Sequence, residues 1–325
     1  MEKEGLAAHE ETNQQDVHAN EEEDDDSGGS SLLSEFQALR RNILNKSQTT
    51  STSYGPSQPE LKMAVFMEKL DPTDSKWQKL RERVQDVFRV TQVTPEQLAD
   101  GVLQKEGYDV LWIGGGLGSQ HAKAIGPEGK RQIKAFLAAG GGYVGACAGA
   151  HLACAKEEGG GEWRFGLSAA TVVDVQHWKR GMGSAKHLLS AAGTRLLLQQ
   201  KEEKEEEKTE GEEECWEYYY ANGPLFGPAK EAKKEEWSEP IVLATFRTEF
   251  LCEGMQKGTM MDAAAIICGT YKQSGRLVLF SAHPELSSYD IKPHLRNSIR
   301  WAAAAAARSR PSSSTSENDS ASFLL

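Results

Sequence analysis

The chain has 325 residues and a formal net charge of −11 at pH 7. Its length suffices for one sizeable hydrophobic core, and its acidic balance argues against a phosphate-binding surface, so nucleic acid is excluded as an expected partner. Five cysteines, Cys147, Cys154, Cys215, Cys252 and Cys268, make no C-x-x-C pair, and the acidic N-terminus has no apolar leader, so free thiols and a cytoplasmic location are expected.

Residues 1–59 are rich in Glu, Asp, Ser, Gln and Asn and are expected to be a disordered acidic tail, available to a protein partner. Within it, Leu33, Phe36, Leu39 and Ile43 could line a transient amphipathic helix over Leu32–Leu44. The folded domain is expected over residues 60–308. Met63–Met67 reads as a strand. Asp74 can cap a helix over Ser75–Val87, and Phe88–Val93 reads as a second strand. Thr94-Pro95 opens a short helix. Tyr108–Ile113 is a third strand, running into Gly114-Gly115-Gly116-Leu117-Gly118. Ile125–Ala139 has a helical apolar face of Ile133, Phe136 and Leu137, and Tyr143-Val144 is a short buried strand. The nearly uncharged run Ala135–Ala155 is mostly Ala and Gly and reads as core, so no membrane association is expected.

This strand–helix alternation predicts an α/β fold, a three-layer α/β/α sandwich around a mostly parallel sheet. Ligands of such sheets sit at the carboxyl ends of the strands. Past Ala155 the pattern loosens. Thr171–Val175 is a strand. His177 to His187, with Lys179, Arg180 and Lys186, reads as a solvated basic loop, and 201–214 as an acidic insertion. Trp216, Tyr218 and Tyr220 alternate along an aromatic strand, with Glu217 and Tyr219 pointing away. Asn222–Gly227 reads as a loop, and Ile241–Phe246 as a strand. Ala263–Tyr271 and Arg276–Ala282 form a hairpin that ends in His283-Pro284-Glu285. Leu295–Ala307 is a closing helix, and 309–325 a disordered Ser-rich tail.

Three pieces carry chemistry. In Gly145-Ala146-Cys147-Ala148-Gly149, small residues stand two before and two after a thiol, between a strand and a helix. That is the layout of a nucleophile elbow; a cysteine in a Gly/Ala packing turn is the alternative. His283 can take and return a proton, and Glu285 can hold the other imidazole nitrogen. The tetrahedral oxyanion would be received by the Ala148 amide and one from Gly115 or Gly116. The glycine run lacks the third glycine of G-x-G-x-x-G and the Lys-Ser/Thr of a P-loop, so no nucleotide cofactor is expected. A metal set of His283, Glu285 and His294 explains less than a catalytic pair, so no metal is expected either. The expected partner is a small-molecule substrate. Three activities stay open: a cysteine-nucleophile hydrolase, an inactive regulatory or ligand-binding module, and a redox sensor through Cys147.

These residues resemble the class I glutamine amidotransferase-like superfamily, whose fold is flavodoxin-like. More narrowly, Gly140–Ala150 with Trp112–Gly116 resembles the N-terminal domain of eukaryotic biotin–protein ligases and its stand-alone relatives. Asn222-Gly223-Pro224-Leu225-Phe226 resembles that family's aromatic segment, and Leu277–Glu285 its last strand. The resemblance runs from about Leu61 to Ala307. It implies Cys147 as nucleophile, His283 as base, Glu285 as orienter, and Gly115, Gly116 and Ala148 as oxyanion donors. His151 stands where glutaminases of the superfamily carry a substrate-holding Gln, so it becomes the candidate substrate-binding residue and glutamine itself is in doubt. No Gly-Arg-Gly-Arg stretch of the biotinyl-adenylate type occurs, so the resemblance does not carry biotin ligation to this chain.

Overall fold

The structure is a computed structural model that describes residues 60–156, 161–199, 215–228 and 236–309. The expected N-terminal tail with its Leu32–Leu44 helix, the acidic insertion, and the expected C-terminal tail beyond Ser309 lie outside the described residues.

The first half of the domain follows the sequence pattern. Strands β1 (Leu61–Phe66), β2 (Phe88–Val93), β3 (Val110–Ile113) and β4 (Gly142–Ala146) alternate with helices α1 (Ser75–Val84), α2 (Pro95–Ala99), α3 (Val102–Lys105) and α4 (Gly118–Ala138). The caps have local causes. The Asp74 carboxylate accepts from the Trp77 amide, and Thr94 with Gln97 forms a reciprocal capping box. Helix α4 begins seven residues before the expected Ile125. Gly126, at φ 67°, and Pro127 break its regularity in the middle, which hides the first half from a periodicity reading.

Past α5 (Ala148–Ala153) the chain changes habit. β5 (Ala170–Val173), β6 (Met182–Leu189), β7 (Cys215–Ala221), β8 (Leu225–Pro228), β9 (Ile241–Phe246), β10 (Ala264–Tyr271) and β11 (Gly275–Phe280) precede the closing helix α6 (Lys292–Ser309). The strands form one sheet in the order β2-β1-β3-β4-β11-β10-β9-β6-β7, with β5 and β8 branching from β10.

The expectation of a mostly parallel sheet therefore needs correction. From β2 to β11 neighbouring strands are parallel; from β11 through β10, β9 and β6 to β7 they are antiparallel. Parallel neighbours need long crossovers, usually helical, and among the described residues no long helix separates the strands between β5 and β11. Two loop expectations also fail. Leu225–Pro228 of the expected 222–227 loop is strand β8, and the "solvated" His177–His187 stretch runs into β6, with Arg180 and His187 buried.

Helices cover both faces of the parallel half. Leu111, Ile113, Tyr143, Leu277 and Leu279 share one core with Ile133, Phe136 and Leu137 of α4. The alternate strand positions face α6, which packs so closely on β4 that a β-carbon on Gly142 would come 2.6 Å from the Ala302 backbone. No helix of the described residues is long and apolar enough to cross a membrane.

Candidate active site

The site lies on the rim where the parallel strands end. β4 and β11 are parallel neighbours with Ala146 opposite Phe280. Cys147 follows β4 by one residue, and its amide donates to the Phe280 carbonyl at 2.9 Å. His283 follows Phe280 by three residues, so sheet register alone brings thiol and imidazole to one place.

Cys147 holds φ 49° and ψ −104°, a conformation that costs a non-glycine residue on the order of 1–3 kcal/mol. Close packing on both sides enforces it. A β-carbon on Gly149 would come 1.9 Å from the Ile113 carbonyl oxygen, and one on Gly145 would come 2.7 Å from the Ala150 nitrogen. The Gly149 amide donates to the Gly114 carbonyl at 3.1 Å, fastening the glycine loop to the elbow. Tyr143 adds a hydroxyl bond of 2.7 Å to the Gly149 carbonyl. The Cys147 side chain is 9% exposed, with Sγ 3.5 Å from the Ala221 carbonyl oxygen.

His283 is buried with its Nδ1 2.9 Å from Glu285 Oε1. Burial alone would pull its pKa down. Hydrogen bonds to the Cys147 and Glu285 side chains, and their charges, outweigh burial and raise it to about 10. The raised pKa favours the protonated imidazole at neutral pH. Strand β7 clamps this turn. The His283 amide donates to the Tyr219 carbonyl at 2.8 Å, and the Ser287 hydroxyl joins the His283 carbonyl at 2.7 Å to the Tyr219 amide at 2.9 Å. Glu285 Oε2 has no hydrogen-bond partner, and Glu285 lines a cavity of about 120 Å³ with Trp77, Trp112, Gly115 and His121.

The structure brings Cys147, His283, Glu285, Ala148 and Gly115 together. A β-carbon on Gly115 would lie 2.1 Å from His283 Cε1. A β-carbon on Gly116 would meet His121 Nε2 at 2.7 Å. His151 lies one helical turn past Cys147, its amide on the Cys147 carbonyl and its ring edge-on to Trp163 at 4.7 Å. Burial and the charges of Arg164 and Arg180 lower its pKa to about 4, so it is neutral at pH 7. His294, weighed as a metal ligand, instead bonds the Tyr218 hydroxyl at 2.5 Å. Cys154 is core, with Sγ on the Ala150 carbonyl.

Sequence reasoning missed a group of polar side chains from the antiparallel half. Tyr220, Asn222 and Arg180 flank Ala221, whose carbonyl meets Cys147 Sγ. The Tyr220 hydroxyl and an Arg180 Nη share the Gly223 carbonyl, at 2.9 and 3.3 Å. Asn222, at φ 53°, accepts from the Gly181 amide at 2.8 Å and donates its own amide to the Gly181 carbonyl. The asparagine–glycine turn was visible in the sequence; its pairing with Arg180-Gly181 was not.

A family model described as "Biotin-protein ligase, N terminal" matches residues 71–308. Among solved structures, a ThuA-like protein from Bacteroides uniformis is similar at 10% identity, covering 77% of this chain and 94% of its own, with a TM-score of 0.41. No curated protein matches the chain.

Proposed function

The chain belongs to the biotin–protein ligase N-terminal family, and from that premise we propose that it is a cysteine-nucleophile hydrolase or amidotransferase-like enzyme of the class I glutamine amidotransferase-like superfamily. Its substrate is a small amide, ester or reactive carbonyl compound. One observation carries this reading: the buried His283 imidazole, bonded to Glu285, beside a cysteine on a strained strand–helix turn.

The chemistry follows from that arrangement. The thiolate is the nucleophilic form of cysteine, and it attacks the carbonyl carbon. The oxyanion that forms is met by the Ala148 amide and the Gly115 loop. His283 gives its proton to the departing amine or alcohol, then takes one from the water that cleaves the thioester. Glu285 keeps the ring oriented through Nδ1 and offsets its charge.

The test is alkylation of Cys147 by iodoacetamide between pH 6 and 9, alongside turnover of a panel of small amides and esters. The expected result is one thiol reacting far ahead of the others at pH 7, with turnover lost in Cys147→Ala. Reaction of Cys147 no faster than a free thiol, or turnover that survives the substitution, would overturn the reading. The same folded variant with undiminished ligand binding and no turnover in either form would mark a binding module.

A further inference from the structure

Arg180 is the most buried cation of the site, with its side chain 1% exposed. Two of its three nitrogens are engaged. One Nη donates to the Gly223 carbonyl at 3.3 Å; the other reaches the Asp174 carbonyl at 2.7 Å and Asp174 Oδ2 at 3.1 Å. Its Nε has no hydrogen-bond partner. A guanidinium N–H buried without an acceptor is costly. A residue serving only to staple the 174–181 loop would use it or expose it to water.

A second orphan stands nearby. His151 Nε2 is also buried without a partner. The two belong to one site by several independent links. His151 is one turn from Cys147, and Arg180 acts on its ring. The Tyr220 hydroxyl shares Gly223 O with Arg180 and also feels Cys147, burial being the main reason its pKa rises to about 12. The Ala221 carbonyl touches Cys147 Sγ two residues before Gly223. Asp174 offsets part of the Arg180 charge but is shared with His177, whose Nδ1 lies 2.5 Å from its other oxygen.

We infer that Arg180 Nε and His151 Nε2 form an anion subsite beside Cys147, so that the substrate is an acyl compound carrying a carboxylate near its reacting carbonyl. This rests on the nucleophile reading above. The guanidinium edge supplies charge and one donor, and the neutral imidazole a second donor. Asp174 and the Gly223 carbonyl hold the guanidinium in place before any ligand arrives, which lowers the ordering cost of binding. The position one turn after the nucleophile, filled by Gln in glutaminases, would here be a histidine matched to a buried arginine.

The test compares alkylation of Cys147 in the full chain by iodoacetate and by iodoacetamide, reagents that differ in charge; each forms a C–S bond and releases iodide. The charge of His283 also draws the anion, so the reading is the change in the rate ratio between variants. The expected result is a fall of about tenfold in the iodoacetate-to-iodoacetamide ratio for Arg180→Met, with Arg180→Lys in between. On the unaltered chain, malonate at millimolar concentration should slow alkylation by iodoacetamide more than chloride of equal ionic strength does. A ratio unchanged in folded Arg180→Met would overturn the subsite. So would equal effects of malonate and chloride on the unaltered chain, which decides the matter if the variant does not fold. Slow reaction with both reagents would instead defeat the nucleophile reading itself.

Discussion

The two halves of the sheet make their polar sites by different means. In the parallel half, the rim is built from backbone: a glycine loop, a strained elbow, and carbonyls and amides that lock one to the other. In the antiparallel half, it is built from side chains reaching between segments distant in sequence: Arg180 to Gly223, Tyr218 to His294, and Ser287 to Tyr219. Parallel strands deliver their ends to one edge, so short turns suffice there. Antiparallel strands do not, and the chain must use long polar groups and bury them. The first half is therefore sensitive to added volume, the second to protonation.

The largest expected effect tests the backbone half. Gly149→Ala places a methyl 1.9 Å from the Ile113 carbonyl, and backbone must move to admit it. A loss of about 3 kcal/mol or more is expected, or failure to fold, read as the denaturant midpoint. A stable, fully reactive Gly149→Ala would mean that the elbow is looser than its contacts indicate.

Next comes protonation. His187 is fully buried on β6, stacked on Tyr218 at 4.5 Å and edge-on to Phe246 at 4.7 Å, with neither ring nitrogen bonded. Burial, then the neighbouring His294, lowers its pKa to about 3; His294 itself falls to about 4 through burial, against a raising effect of Asp290. A histidine whose folded pKa lies below its unfolded value of about 6.5 contributes stability above that pH. That stability is lost as the pH falls toward 3, because only the unfolded chain takes the proton. His283 titrates in the opposite sense: its contribution is complete below about 6.5 and is lost as the pH rises through about 10. His187→Phe keeps an aromatic ring and removes both orphan nitrogens. It should raise neutral-pH stability by about 1–2 kcal/mol and flatten the acid limb between pH 6.5 and 3 while leaving the alkaline limb in place. An unchanged acid limb in pH-dependent melting would place the acid sensitivity elsewhere.

The same contrast explains what could be read from the sequence. Cys147 and Gly114–Gly118 were legible because glycine spacing reports where backbones approach one another, and here they approach at Gly145, Gly149 and Gly115. Glu285 was legible from being two residues from His283. Arg180 and His187 were not. Along β6 the buried positions are Ala185 and His187 and the exposed ones Met182, Ser184 and Lys186, so no apolar alternation marks the strand. His187 is buried by pairing with Cys215–Ala221 and Ala244–Phe246, and Arg180 is held by Asp174 and Gly223; apart from Asp174, these partners are distant in sequence. The parallel expectation failed for a related reason: it extended the α/β rhythm of residues 60–153 into a region whose described residues hold strands without long helices between them.

The smallest effect separates shape from hydrogen bonding within the elbow itself. Tyr143 is fully buried, and its hydroxyl closes the turn by donating to the Gly149 carbonyl at 2.7 Å. Tyr143→Phe removes the donor and keeps the ring. The carbonyl left behind is buried, so a loss of about 1 kcal/mol is expected in chemical denaturation. If the elbow is held by volume, as the glycine contacts argue, the alkylation rate of Cys147 in this variant should stay within about twofold of the parent at pH 7, since a single neutral hydrogen bond is worth little more than that loss. A larger fall would show that the hydroxyl bond, and not the packing of Gly145 and Gly149, sets the angle at which Cys147 meets His283.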